Sequence, residues 1–148
     1  MALIDGSIIF SNNQAITGDA VSTNSYDSQA MGTPVGNAGA LVFDLGNSDI
    51  QLLVQVTEAF NTLTSLTVTL EMDDNSSFSS PTTIATSGAV PLASLVQGFR
   101  FPTFTPEIPE GATERYFQLR YDVTGTDPTT GKIYAAVVAA RPMATTKL

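Results

Sequence analysis

The densest set of hard oxygen donors in the chain is Asp73-Asp74-Asn75, two carboxylates beside an amide, a donor type that suits a calcium-like cation. The set lacks the spacing and the glycine of an EF-hand loop, and polar residues turning the chain after a strand account for it, so no metal is expected. Neighbours such as Asp73 and Asp74 point to opposite faces of an extended backbone, so a catalytic carboxylate pair would need two separate strands. The sequence marks no such pair. Serine and threonine are plentiful, but a hydroxyl is a poor nucleophile without an adjacent base, and the chain has no G-x-S-x-G or S-x-x-K motif and no histidine. It has no cysteine either, which removes the commonest zinc ligands and the thiol nucleophile. Gly32-Thr33-Pro34-Val35-Gly36 has neither the lysine of a P-loop nor a following helix and reads as a loop. Asn75-Ser76-Ser77 fits the glycosylation triplet, which matters only in a secreted eukaryotic chain. The expectation is no catalytic residue, no cofactor and no enzyme activity.

A different chemistry is suggested by Phe99-Arg100-Phe101-Pro102-Thr103-Phe104-Thr105-Pro106. Proline-stiffened extended segments with large apolar side chains lose little entropy on docking, so Phe101, Phe104, Pro106 and Ile108 are candidate partner contacts. The competing reading has Phe99, Phe101 and Phe104 capping a core from a connecting loop. Charge narrows the partner. A net charge of −8 with six Lys and Arg argues against nucleic acid, which is held by clustered cations. No apolar run reaches membrane-spanning length, and Met1-Ala2-Leu3-Ile4-Asp5 carries an acid where a signal peptide has basic residues, so no membrane and no processing are expected.

These residues need a frame, and the periodicity supplies one. Leu66, Val68, Leu70 and Met72 alternate with Ser65, Thr67, Thr69 and Glu71, the pattern of a half-buried strand. Phe117, Leu119, Tyr121 and Val123 alternate in the same way with Tyr116, Gln118, Arg120 and Asp122. Residues 50–57 alternate too, and Leu53 on the polar face predicts a central strand covered on both sides. Residues 133–141 form a last strand of small and β-branched residues ended by Pro142. Shorter strands are expected at 7–10, 23–26, 40–43, 82–86 and 98–101, and one short helical turn within 91–96. Many short strands without crossover helices imply an all-β, antiparallel, jelly-roll-like sandwich. At 148 residues the chain fits a single domain spanning 1–148, which buries roughly 70% of its unfolded surface and needs no staple.

Several strings in this frame resemble the capsid cement, or decoration, proteins of short-tailed bacteriophages of the Bordetella-phage type. They are Gln14-Ala15-Ile16-Thr17 with Ser22-Thr23-Asn24, then Leu70-Glu71-Met72-Asp73-Asp74-Asn75 followed by Phe78-Ser79-Ser80-Pro81, and Ala85-Thr86-Ser87-Gly88. Pro109-Glu110-Gly111, Glu114-Arg115-Tyr116-Phe117-Gln118-Leu119-Arg120-Tyr121 and Thr130-Gly131-Lys132-Ile133 continue the series in the family's order. The resemblance implies a jelly-roll domain, dimeric, seated on the outer surface of an icosahedral virion shell of HK97-like major capsid protein, with no active site. Residues 31–39 and the proline-rich segment near Phe104 are longer than the family's pattern, so loop contacts are where this chain departs from it. Two other functions fit the residues alone. A carbohydrate-binding module would share the fold but lacks tryptophan for a sugar platform, and a tail or baseplate structural protein would share the composition.

Overall fold

The computed structural model describes residues 8–28, 32–33, 35–39, 52–101 and 114–138. In chain order the strands are β1 (Ile9–Ala15), β2 (Ala20–Val21), β3 (Tyr26–Asp27), β4 (Leu52–Glu58), β5 (Leu63–Asp73), β6 (Thr82–Thr86), β7 (Val90–Pro91), β8 (Tyr116–Gly125) and β9 (Lys132–Val137). The helical turn expected within 91–96 is a 3-10 turn at Leu92–Ser94. Among the described residues the strands form two sheets in which every pairing is antiparallel. One has the order β1-β9-β4, and the other has β2-β8-β5-β6, with β3 also on β8 and β7 also on β5. This is the antiparallel, jelly-roll-like sandwich that the alternation predicts.

Alternation dictates what lies between the sheets. Leu66, Val68, Leu70 and Met72 of β5 and Phe117, Leu119 and Tyr121 of β8 are buried, as are Leu52, Val54 and Val56 of β4 and Ile133 and Ala135 of β9. Each fully buried aliphatic or phenylalanine side chain contributes about 1.5–3 kcal/mol relative to exposure. The longest register joins β5 to β8, running from Leu63 opposite Gly125 to Asp73 opposite Tyr116. These two strands are the spine of the molecule.

The strands depart from the expected ones in several places. In place of the strand expected at 23–26 there are two short pieces, β2 before it and β3 overlapping its end at Tyr26, and between them Ser22 stands in for backbone pairing. Its N–H donates to Leu119 O, its hydroxyl accepts the Leu119 N–H at 3.1 Å, and the hydroxyl also donates to Asn24 O. The first strand runs on to Ala15 through a polar stretch, with register shifts between Ile9 and Gln14 and Asn13 at φ 51, so bulges hide its period. By sheet order β4 is a terminal strand, yet its outer edge is occupied by residues 98–101: Gly98 N donates to Val56 O, Val56 N to Phe99 O, and Phe101 N to Val54 O. The expected strand there is an isolated bridge between Gln55 and Arg100. The polar face of β5 is not half-open, because Thr69, Glu71 and Asp73 are buried as well. The strand expected at 40–43 lies outside the described residues.

Candidate interaction surface

Register fixes which residues share an end of the sandwich. Asp73 pairs with Tyr116, Asp27 with Tyr116, Ile9 with Ala136 and Leu52 with Val137, so these positions gather at one end. Short connections from Glu58 to Leu63 and from Gly125 to Lys132 define the other.

At the first end Asp73 closes β5. Its carboxylate accepts the N–H of Asn75 at 2.9 Å and of Ser80 at 2.8 Å, and the Asn75 side chain accepts the N–H and hydroxyl of Ser77. The acidic cluster therefore builds a turn, as local side-chain capping by Asp and Asn does generally. The Asn75 N–H above all holds Asp73 below the ordinary aspartate range, while the hydrogen bond and charge of Asp73 push Asp74 upward. With Ser80, Thr82 and Glu114 these two line a polar cleft of about 200 Å³. One oxygen of Glu114, Oε2, is buried there without a hydrogen-bond partner. Among the described residues no group of three or more His, Cys, Asp or Glu could hold a metal ion. Beside the cleft the Arg115 guanidinium grips both carboxylate oxygens of Asp27 and lies over the Tyr116 ring.

The opposite end is braced by Asn61. Its side-chain Oδ1 accepts the N–H groups of Thr129 and Thr130, its side-chain amide donates to Thr129 Oγ1 at 2.8 Å, and Thr130 Oγ1 donates to Ala59 O. Gly131, at φ 134, lets the Phe60 ring approach so closely that a Cβ there would lie 2.3 Å from it. Between the two sheets the buried Tyr121 hydroxyl meets Ser11 Oγ at 2.7 Å, and Ser11 donates to Gln14, whose side chain bonds Val21 O and Thr23. Burial pushes the Tyr121 phenol well above its ordinary pKa. That chain of hydrogen bonds ties β1 to β8 and to the segment after β2.

The expected contact residues divide. Phe101 is 2% exposed, edge-on to Phe99 with ring centroids 5.4 Å apart, so it belongs to the core and not to a displayed contact. Phe104, Pro106 and Ile108 lie outside the described residues. What the same run does display is Arg100, which alternation turns outward between the two inward phenylalanines. Upstream of it Val96 is 55% exposed. The aromatic residues drew attention in the sequence, although the period-two pattern of Phe99-Arg100-Phe101 already marked the arginine as the outward member. Among the described residues Val21, Tyr26 and Val35 are the other large apolar side chains with substantial exposure.

The described cations are largely spoken for: Arg115 pairs with Asp27, Arg120 with Asp122 at 2.8 Å and Lys132 with Glu58 at 2.6 Å. The surface they leave is acidic. No described helix is long and apolar enough to cross a membrane. No curated protein matches the chain. The profile of the Bbp16 family, a family of Bordetella-phage proteins, matches residues 10–137, which takes in β2 to β9 and all of β1 but its first residue. The strings that carried the sequence resemblance fall on the braces just described, Gln14 with Thr23, Asp73 with Ser80 and Thr130 with Ala59, and the chain belongs to the Bbp16 family of phage proteins.

Proposed function

We propose that this chain is a capsid cement protein, bound to the outer surface of an icosahedral phage head, where it holds neighbouring major capsid protein subunits together. The observation that carries the reading is how the polar side chains are used. Gln14, Ser22, Asn61, Asp73 and Asn75, the residues best equipped for chemistry, each hold a loop or turn of this chain in place. What results is a braced body that works by binding, without a chemical step. An acidic surface favours the outer face of a shell, since the inner face lies against DNA phosphates. Membership of a phage family over residues 10–137 supports a virion role.

A protein that binds only the assembled shell stabilises that state by mass action, as any ligand selective for one state does. Packaged DNA presses the shell outward, and a body clamped across a subunit boundary opposes the separation. The test is to heat complete heads beside heads stripped of this protein and to record DNA release with an intercalating dye. Complete heads should release DNA at the higher temperature. Equal release temperatures, with binding to the complete heads confirmed, would remove the stabilising role.

A further inference from the structure

We infer that Arg100 and Val96 form a displayed anchor that binds a carboxylate-bearing, partly apolar patch on a neighbouring protein subunit of the shell. The inference rests on the cement reading and names where one of its contacts lies.

Arg100 is exposed, and it is the described cation that holds no acidic partner, whereas Arg115, Arg120 and Lys132 each hold one. In a chain of net charge −8 with acids to spare, an arginine kept out of every ion pair among the described residues is conspicuous. Its backbone is fixed. Arg100 bridges Gln55 on the outer edge of β4, and the residues on either side are tied by Val56 N to Phe99 O at 2.9 Å and Phe101 N to Val54 O at 3.0 Å. Phe101 is sunk in the core with Phe99 packed against that core, so the arginine stands on a rigid base.

Val96 is held as firmly. Leu95 before it is fully buried and accepts the Phe60 N–H at its carbonyl, and Phe99 N donates to Val96 O at 3.0 Å, closing a turn. Gly98 takes φ 90 at the third position of that turn, where a positive φ calls for glycine. Exposing a valine costs free energy in the isolated protein, and a partner that covers it recovers that cost. Arginine is among the residues enriched in binding hot spots, and Arg100 stands four residues from the exposed Val96 on a backbone fixed by hydrogen bonds. Little entropy is lost when such a pair docks, and the planar guanidinium grips a carboxylate in two parallel hydrogen bonds. The full complement is therefore an acidic residue flanked by apolar surface.

The test uses full-length protein and heads stripped of it, with occupancy measured against protein concentration. Arg100→Glu and Val96→Asp change exposed side chains, and both should leave the melting temperature and the β-sheet circular dichroism unchanged. Each should weaken binding to the heads by about tenfold or more, while Arg100→Lys, which keeps the charge but not the fork, falls between. Added salt should weaken wild-type binding more than that of Arg100→Ala. If both folded variants fill the heads at wild-type concentrations, the anchor is refuted while the cement reading stands. If wild-type protein itself fails to fill them, the cement reading falls, and the anchor with it.

Discussion

Single residues set the stability of this molecule where they are buried without alternatives. Leu119 is fully buried between the sheets, opposite Leu70 on the spine, so Leu119→Ala should cost about 2–5 kcal/mol in a denaturant titration. A value under about 0.5 kcal/mol would mean a surface position. The acidic turn makes a prediction of opposite kind. Asp74 holds its proton in the fold at higher pH than in an open chain, because Asp73 bonds and repels it. The ionised pair therefore costs stability at neutral pH, and that cost is relieved as pH falls through the raised Asp74 value. Asp73 behaves in reverse, since its lowered pKa contributes stability that is lost only as pH falls through that lower value. Asp74→Asn should then melt above wild type at neutral pH, with the gap closing on acidification through the Asp74 value. A thermal melt series across pH checks it, and an unchanged gap would mean that the two carboxylates do not interact. The turn itself was legible in Asp73-Asp74-Asn75, but which carboxylate serves as its anchor was not, because that depends on where Ser80 returns to meet it.

Elements explain why some of the frame could be read from the chain and some could not. Strands β5 and β8 stood out because one face is apolar at every second position and each runs for ten residues or more. Their polar faces misled. Glu71 donates nothing and is not solvated, but accepts from the Gln118 amide at 3.0 Å on the neighbouring strand, so two polar side chains lie buried by pairing across strands. No single-strand pattern contains that information. Strand β1 was read too short for a different reason, since its bulges break the period that defines a strand. The contact role given to Phe101 failed in the same way, because a lone strand pattern does not reveal that β4 lies alongside to take residues 98–101 as its neighbour. The turn between β8 and β9 gives a sharp test at this scale. Gly131→Ala would need both a left-handed backbone and room that Phe60 already fills, so it should destabilise by about 1–3 kcal/mol or more. A neutral result in chemical denaturation would show that Phe60 swings away freely. Lys132→Ala, next along the chain, breaks only the half-exposed pair with Glu58 and should change little.

For the molecule as a whole, the two sheets differ in what they can do alone. The β5–β8 spine gathers its partners from both directions along the chain, whereas β1 and β4 each depend on β9. Ile9 pairs with Ala136, the pairing most distant in sequence among the described strands, and β4 also waits for β9. Closing such long loops is slow, and domains dominated by distant pairings fold in about milliseconds to seconds. A ribosome emitting this chain in order releases β1 before the other described strands and leaves it without its sheet neighbour until residues 132–137 emerge. The Gln14 bonds to Val21 and Thr23 are local in sequence and need no later strand to supply a partner. In stopped-flow refolding, a variant that keeps Tyr134 of β9 as its one tyrosine should reach native fluorescence later than a variant that keeps only Tyr121, so that the described strand made last is also the one that completes the sandwich.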